Sequence, residues 1–404
     1  MGKKKSVVLL TLLTIVIVAL CAMIAVPSFE LPFLWNGAVS NWNPVVKTYD
    51  LDANLGGGYY TYYYPEGVIS EVEYQKEYES RSEDKQEEYA NSYTPYKGLY
   101  LSTDSDDGVV EETENGYVVT DSFKESFETA KKEISSRYEK RGDSSFRVSV
   151  VDDYALRIEL PVSDTAAGTA FTYFSYTGEF TLYDGTTTVL EASKDESPKD
   201  YIKGFSPKKN GDSTYIQVKL TDEGRKLIKD VTTSLAASSS EDDGSSSGGT
   251  LSFKVGDESI IQLSVTEAID EKTLYIGGTD TYTDETASVV AILLNSALNA
   301  GDLGLGFEVE ETRTFGPAYG SNALTLLYIA LAIVLVASII WPFIKYKGFG
   351  GACAYSTLSY LIVTAICFAF ISSGVFEVTL GTVAIFLFGL LLTNLFNARV
   401  YGAI

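Results

Sequence analysis

Carboxylates and tyrosines are the side chains with which this sequence could do chemistry. The 404 residues include 54 acidic residues and 28 tyrosines but no histidine. Ser–His–Asp triads, imidazole bases and histidine-ligated metals are therefore excluded. The three cysteines, Cys21, Cys353 and Cys367, lie in or beside apolar runs, so the polar region between those runs has neither thiol chemistry nor disulfides. With no P-loop or metal-ligand spacing either, we do not expect an enzyme.

Three aspartates are the densest group of possible metal ligands. Asp104, Asp106 and Asp107 stand in an acidic, turn-rich stretch. We interpret them as a solvated loop, with a weak calcium site as the alternative. No cofactor and no bound metal are predicted.

The other group with chemical potential is aromatic. Tyr59, Tyr60, Tyr62, Tyr63 and Tyr64 follow the glycines at positions 56–58. Alternating tyrosines are typical of one strand with a core face and a surface face, and the alternative is stacking against an unfolded polypeptide. The glycines permit a positive φ or a close backbone approach, and the alternative is a plain glycine-rich loop.

Four apolar runs surround the region that must position these residues. Each is long enough to cross a bilayer as a helix, which takes about 20 residues: Ser6–Val26, Leu324–Ile344, Ala354–Ser373 and Thr379–Phe396. The first is too long for a cleaved signal peptide and lacks a small-x-small site, so an uncleaved anchor is expected. The basic residues that flank the runs predict cytoplasmic termini and an outer domain between Pro27 and Ser321: Lys3, Lys4, Lys5, Lys345, Lys347 and Arg399.

The outer domain is strongly acidic. Only six basic residues and Glu377 lie outside it, which leaves 25 basic and 53 acidic residues and a net charge of −28. Such a surface repels nucleic acid and anionic lipid headgroups. We interpret the charge as a solubility feature, with attraction for basic or unfolded cationic segments as the alternative.

Helical and strand patterns alternate along this domain. A capping box, Ser122-x-x-Glu125, predicts a helix that ends at Gly142, and a period-2 hairpin around Asp152 and Asp153 follows it. Further strand and helix patterns predict an α+β domain: strands around 216–220, 251–255, 260–265, 273–276 and 307–309, and helices over 222–235 and 284–299. Residues 70–119 are predicted to be an acidic insertion of low packing density, and Ala236–Thr250 a Ser/Gly-rich linker.

Several stretches resemble SecD, the accessory subunit of the bacterial protein-export channel. They are VEETRTFGPAYGSNAL at Val309–Leu324, ILLNSAL at Ile292–Leu298, the helix and hairpin of Ala130–Pro161 ending in RIELP, the helix opening with TDEGRKL, and ANLGGG at Ala53–Gly58 followed by PEGV. The resemblance implies a divergent, Gram-positive-like SecD. The fold expected is a multi-pass α-helical membrane protein with a large extracytoplasmic α+β domain of ferredoxin-like βαβ-type subdomains: residues 1–26 as anchor, 27–321 as outer domain and 322–404 as a three-helix membrane domain.

The resemblance also implies a function and its residues. The chain would assist Sec-dependent export across the plasma membrane, beside a SecF-like partner and the SecYEG channel, by binding the emerging polypeptide on the outer side. The expected polypeptide-handling loop consists of Asn54, Leu55, Gly56, Gly57, Gly58, Tyr60 and Tyr62. The expected hinge at the membrane entry consists of Gly316, Pro317 and Gly320.

The chain departs from the family in three ways, of which the missing spans and the missing aspartate, together with the acidic insertion, favour a second reading. Asn54 stands where the family has an acidic residue, and four membrane spans are present rather than six, either because the sequence is truncated or because the last two helices are lost. The family's intramembrane aspartate is missing, because its position falls at Leu392 or Thr393 and no carboxylate follows Thr379. Nearby Thr393, Asn394, Asn397 and Arg399 are expected to contact partner helices. The alternative function is a membrane-tethered extracellular scaffold or binding module without translocation activity; a proton-driven transporter lacks the same carboxylates.

Overall fold

The computed structural model describes most of the chain. The described residues are 51–142, 146–191, 197–211, 213–238, 249–278, 281–372 and 378–401, with short pieces at 11–12, 15–16, 19, 29–31 and 40–42. Most of the expected anchor Ser6–Val26, and residues 239–248 of the expected linker, therefore lie outside the described residues.

The first half of the outer domain mixes short strands with three longer helices. In chain order its elements are β1 (Phe29–Leu31), β2 (Ser40–Trp42), α1 (Ala53–Gly56), β3 (Gly58–Pro65), β4 (Val68–Ser70), α2 (Glu71–Ser80), α3 (Glu83–Asn91), β5 (Tyr93–Tyr96), β6 (Leu99–Ser102), β7 (Val110–Thr113), β8 (Gly116–Val119), α4 (Asp121–Arg141), β9 (Arg147–Val151) and β10 (Ala155–Pro161).

The second half leads to the apolar helices. It consists of α5 (Ala167–Phe174), β11 (Phe180–Tyr183), β12 (Thr188–Leu190), α6 (Pro198–Tyr201), β13 (Ile202–Asn210), β14 (Ser213–Leu220), α7 (Asp222–Ser238), β15 (Gly249–Val255), β16 (Glu258–Val265), β17 (Thr273–Gly278), α8 (Asp284–Ala300), β18 (Phe307–Val309) and β19 (Arg313–Phe315). The apolar helices are α9 (Ala323–Tyr346), α10 (Gly350–Ser372) and α11 (Leu380–Tyr401).

The first sheet has the antiparallel order β18–β3–β10–β9, with β19 also on β3. Strand β3 is thus central, and α4 connects it to β9 across the intervening β10. This is the split βαβ arrangement of ferredoxin-like units. The hairpin β9–β10 turns at Asp152 and Asp153, as predicted, and both residues have positive φ.

Helix α4 begins two residues earlier than the predicted capping box. Thr120 has extended backbone angles, and its hydroxyl oxygen accepts a hydrogen bond of 3.2 Å from the Phe123 N–H. Ser122 therefore lies inside the first turn, and the capping-box prediction was wrong in its register. The predicted end is confirmed, since Gly142 adopts a left-handed conformation at the C-terminus of the helix.

The acidic insertion is more ordered than the sequence suggests. It forms the sheet β4–β6–β5, the hairpin β7–β8 and the helices α2 and α3. A small core of Val68, Leu99, Leu101, Val109, Val110 and Val119 packs against Phe123 and Ala155 of the main domain. The ring of Tyr74 stacks on that of Tyr100 at 3.6 Å and also contacts the rings of three other tyrosines. The expectation of low packing density was wrong, because tyrosine rings supply the packing that few aliphatic residues could.

Two further sheets share one core with the first. Their orders are β13–β14–β17 and β12–β11–β15–β16, and α7 and α8 pack on them. Apolar side chains from all three sheets join α4, α5 and α8 in a single buried cluster. The predicted linker is shorter at both ends, since α7 continues to Ser238 and β15 begins at Gly249.

A buried arginine ties this core together. Arg137 on α4 is 1% exposed, and its guanidinium donates to the Ser296 hydroxyl and to the carbonyl oxygens of Phe174 and Tyr176 at 2.6–2.8 Å. Burial lowers the pKa of Arg137 to about 10. One side chain therefore joins α4 and α8 to the end of α5.

Two helical segments among the described residues are long and apolar enough to cross a membrane. They are Thr325–Cys367, of 43 residues, and Leu380–Tyr401, of 22 residues. The first contains most of α9 and most of α10, which pack against each other and are separated by a short 3-10 turn at Lys347–Phe349. The segment Thr325–Cys367 therefore includes most of two of the four apolar runs, Leu324–Ile344 and Ala354–Ser373.

Candidate functional site

Strand β3 places its tyrosines on two opposite faces. Tyr63 is fully buried, 3.1 Å from the Tyr138 hydroxyl, and its own hydroxyl donates to the Phe171 carbonyl oxygen. Burial raises the pKa of Tyr63 well above its usual range. Tyr59 also packs on the core. The alternation expected of one strand is therefore present, and its inner half is structural.

The outer face of β3 carries a continuous row of half-buried rings. Tyr60 and Tyr62 meet edge to face with centroids 5.7 Å apart, and Tyr62 stacks on Tyr64 at 6.1 Å. These three residues are called the tyrosine row below. Phe315 on β19 extends it, with its ring centroid 6.2 Å from that of Tyr60. The row follows the strand axis and leaves part of each ring open to solvent.

A guanidinium lies over this row. Arg157 on β10 is 4.4 Å from the centroid of the Tyr60 ring and 6.0 Å from that of Tyr62, within the range of cation–π attraction. Its guanidinium also pairs with the Glu159 carboxylate at 2.8 Å, while its Nε has no hydrogen-bond partner among the described residues. Rings and a charged planar group therefore form one amphipathic face on the sheet.

Arg157 was missing from the residues expected at the site. Its signal was present in part, because the period-2 pattern of RIELP places Arg157 on the face opposite Leu156 and Ile158. The pairing of Arg157 with Tyr62 across β10 and β3 needs the register between strands more than 90 residues apart. The sequence pattern of either strand does not specify that register.

The expected handling loop and the expected hinge lie against each other. Gly57 has φ +76°, and a Cβ at this position would be 2.5 Å from the Phe315 carbonyl oxygen and 3.1–3.2 Å from backbone atoms of Gly316 and Pro317. A Cβ on Gly58 would overlap the Leu160 carbonyl oxygen. The glycines thus serve both roles foreseen for them, a positive φ and a close backbone approach.

The residues before these glycines form the short helix α1 rather than an open loop. The Asp52 carboxylate accepts from the Leu55 N–H and from the Asn54 side-chain amide, both at 3.0 Å. Leu55, Gly57 and Gly58 are buried, which leaves little of this segment available to a ligand. Of the expected handling residues, Tyr60 and Tyr62 are those whose large side chains lie on the outer face.

Helix α1 also contacts the segment that precedes α11. The Asp52 N–H donates to the Val378 carbonyl oxygen at 3.2 Å, and Leu51 forms a bridge with Val378. Gly57, which follows α1, lies against Phe315–Pro317. We call Leu51–Gly57 with Phe315–Pro317 and Val378 the joint, because it connects the sheet domain to the apolar helices at two places.

The expected hinge is a closed turn directly before α9. The Gly320 N–H donates to the Pro317 carbonyl oxygen at 2.9 Å, and Gly320 has φ +88°. Gly316 is exposed with open space around it. Proline restricts φ at the start of this turn and glycine accepts the positive φ at its end, so the segment expected to be a hinge is a conformationally restricted turn.

The polar residues of α11 find partners mostly within the chain. The Thr393 hydroxyl donates to the Gly389 carbonyl oxygen one turn earlier, and the Asn394 amide donates to the Ser338 hydroxyl of α9 at 3.3 Å. Asn397 is buried, and its amide nitrogen has no partner among the described residues. Arg399 is exposed. The side chains of Thr393 and Asn394 thus form their hydrogen bonds within this chain.

The carboxylates do not assemble into a metal site where the chain is described. No group of three or more Cys, Asp or Glu side chains in those ranges is placed to hold an ion. The Asp104 carboxylate accepts from the Asp106 N–H at 3.0 Å, a local turn that suits a solvated loop.

The geometry defines an α+β domain joined to apolar helices, with an aromatic and cationic face on its first sheet. No protein-family model matches the chain, and no curated protein matches it. Solved structures of SecDF do. A crystal structure of SecDF in a super-membrane-facing form is 16% identical, with a TM-score of 0.44, and the match covers 93% of this chain and 44% of that one.

Two more SecDF structures match. The crystal structure of SecDF from Thermus thermophilus, described as a translocon-associated membrane protein, is 16% identical with a TM-score of 0.30 and coverages of 93% and 45%. A structure of SecDF described as a membrane component that enhances protein export is 15% identical with a TM-score of 0.30, and the match covers 47% of this chain and 93% of that one. Each of these SecDF structures is similar to this chain at low sequence identity, and the chain spans less than half the length of the first of them.

Proposed function

We propose that the chain is a SecD-like subunit that assists protein export by holding an emerging, unfolded polypeptide on the outer side of the membrane. The observation that carries the proposal is the tyrosine row beneath Arg157. Aromatic faces and a guanidinium attract apolar, aromatic and acidic side chains alike, so such a surface binds extended chains of many sequences. A subunit that handles many secreted proteins needs this lack of selectivity.

The proposed topology places the sheet domain outside the cell. Lys345 and Lys347 at the end of α9 and Arg399 at the end of α11 support a cytoplasmic position for those ends of the helices. A SecF-like subunit, the SecYEG channel, the secreted polypeptide and membrane lipid are the proposed partners, and nucleic acid is not one. The role is non-catalytic, because the sequence contains no imidazole and the outer domain no thiol.

Energy for movement would come from a partner. Residues 379–404 contain no Asp or Glu, so α11 offers no carboxylate to carry protons through the bilayer. The same observation favours a second candidate function, in which the chain is a membrane-tethered binding module that holds polypeptides without driving them. The two candidates share the tyrosine row and differ in whether the export channel accompanies the protein.

Site-specific photo-crosslinking tests the shared part. A photoreactive phenylalanine analogue replaces Tyr62 in the full chain in its native membrane, and a secreted protein is arrested during export. We expect a crosslink to the arrested polypeptide from position 62. The matched control places the analogue at Tyr275, a 52% exposed tyrosine on β17 of another sheet. Equal crosslinking from both positions, or none from 62, would contradict the proposal.

A pull-down in mild detergent separates the two candidates. Recovery of SecF-like and SecY-like subunits with the tagged protein is the result expected of an export subunit. If position 62 crosslinks to polypeptide but neither subunit is recovered from membranes in which SecY is readily detected, the tethered binding module is the correct function.

A further inference from the structure

A groove continues the tyrosine row at the Tyr64 end. It has a volume of about 400 Å³ and lies between the end of β3, the start of the acidic insertion and the connection from β18 to β19. One wall belongs to β4 and α2, and the other is formed by residues 308–313. Because Tyr64 belongs to both the row and the groove, a chain lying along the row reaches this opening directly.

Both walls of the groove carry apolar side chains. Tyr64, Ile69 and Val309 are partly buried along it, and Val72 stands at the rim with 77% of its surface exposed. An exposed aliphatic side chain at the first turn of a helix gains nothing from the fold of this chain. It does offer contact to the stem of a long side chain in the groove.

The carboxylates at the groove outnumber its cations. Glu73 is paired with Lys76 at 3.1 Å, and Glu310 with Arg313 at 2.6 Å, so each cation is already bound within its own segment. Glu308 and Glu311 complete the acidic lining, and both are exposed. Neither forms an ion pair with any of the residues that the structure describes.

The charge of these groups acts on the tyrosines around the groove. Burial and, next to it, the Glu310 carboxylate raise the pKa of Tyr64 to about 12. The pKa of Tyr93 is also raised, by burial first and then by the Asp107 and Glu308 carboxylates. The opening is therefore a region of negative potential bounded by apolar walls.

We propose that this groove receives a lysine or arginine side chain of the polypeptide that lies along the tyrosine row. The apolar walls cover the aliphatic stem, and the Glu308 and Glu311 carboxylates bind the cation. The inference rests on the proposed function and adds to it a preference for clients with a basic residue at one position. One wall comes from the Ser70–Val119 insertion, so the insertion supplies part of the apolar cover for the stem, while the carboxylates that select a cation belong to the opposite wall.

Matched peptides test the preference with the full chain in detergent. One fluorescent peptide is extended, rich in Ser, Thr and Val, and carries a single central lysine; its partner carries norleucine there. We expect the lysine peptide to bind about tenfold more tightly, the effect of one charge-assisted contact. The double variant E308Q/E311Q should bind both peptides equally, whereas Glu88→Gln on α3, which removes an exposed carboxylate outside the groove, should preserve the difference.

A second variant changes the charge at the groove without removing a carboxylate. Val72→Lys places a cation at the rim and should weaken binding of the lysine peptide while leaving the norleucine peptide unchanged. If the wild-type protein binds both peptides equally, or E308Q/E311Q leaves the preference intact, the groove inference is wrong while polypeptide contact stands. If neither peptide binds the wild-type protein but position 62 still crosslinks to an arrested polypeptide, the groove inference alone is wrong. If crosslinking also fails, the tyrosine row itself is not a polypeptide site.

Discussion

A methyl group added at Gly57 should loosen the joint between the sheet domain and the apolar helices. Gly57 combines φ +76° with backbone neighbours on β19, and the added Cβ would lie 2.5 Å from the Phe315 carbonyl oxygen. Ordinary carbon contacts are about 3.5 Å or longer. Because the close atoms belong to the main chain, a side-chain rotation cannot relieve the overlap. The segment Phe315–Pro317 must move, or α1 must.

The size of the effect follows from two contributions. An alanine at positive φ costs about 1 kcal/mol. Overpacking against a fixed neighbour costs about 1–3 kcal/mol. Gly57→Ala should therefore lower the free energy of unfolding by about 2–4 kcal/mol. Gly142→Ala is the matched control, since Gly142 has φ +86° and no atom within 4 Å of the added Cβ, and it should cost about 1 kcal/mol.

Urea unfolding of the full chain in detergent, followed by far-ultraviolet circular dichroism, measures both variants. Hydrogen exchange of residues 313–317 measures the joint directly and should accelerate in Gly57→Ala but not in Gly142→Ala. If the two variants lose the same stability and exchange in residues 313–317 is unchanged, the packing of α1 on Phe315–Pro317 does not exist in solution. In that case the joint would have no role in connecting the domain to the helices.

Three further predictions concern the domain that carries the site. Thr120→Ala should lower the free energy of unfolding by about 1 kcal/mol and Ser122→Ala by much less, because Thr120 caps α4; equal losses in urea unfolding would restore the register read from the sequence. Arg137→Met should cost about 2–5 kcal/mol, because it leaves the buried Phe174 carbonyl and the partly buried Tyr176 carbonyl without donors, and a loss below 1 kcal/mol would show that these groups are hydrated. Two basic side chains of α7 hold the pKa of Asp270 down to about 2, so Asp270 stabilises the fold above its unfolded pKa of 3.8 and loses this effect as pH falls to 2. Asp270→Asn should flatten the dependence of Tm on pH between 3.8 and 2, and an unchanged acid profile would contradict it.

The sequence predicted elements well where one face of a segment is apolar. Helices α4 and α8 and the hairpin β9–β10 follow from the spacing of their buried residues, because amphipathic periodicity depends on local order alone. Strand β19 escaped prediction because it has three residues and no period, and it pairs with β3 more than 250 residues earlier. The joint was not predicted either, because it also depends on contacts between segments that are far apart in the sequence. Glycine indicates that something approaches closely, but it does not indicate what.

The insertion shows a different limit. Its glutamates and lysines indicate a solvated surface, and α2 and α3 do have one. Tyr74 and Tyr89, however, are buried within it and stack on each other at 5.3 Å. Tyrosine is usually classed as polar, but its ring packs like that of a large apolar residue, so composition alone could not distinguish an extended insertion from a folded one. The groove beside α2 exists only because the insertion is folded.

The central position of β3 has a mechanical consequence. Hydrogen bonds to β10 on one side and to β18 and β19 on the other run perpendicular to the strand. Tension applied along β3 by a chain gripped at its tyrosines would load all of these bonds in shear, so that they must fail together. Among the described strands, the edge strand β9 is hydrogen-bonded on one side only, to β10, so fewer bonds would resist a pull along it. A polypeptide held on β3, as proposed, would therefore pull on a strand that is hydrogen-bonded on both sides.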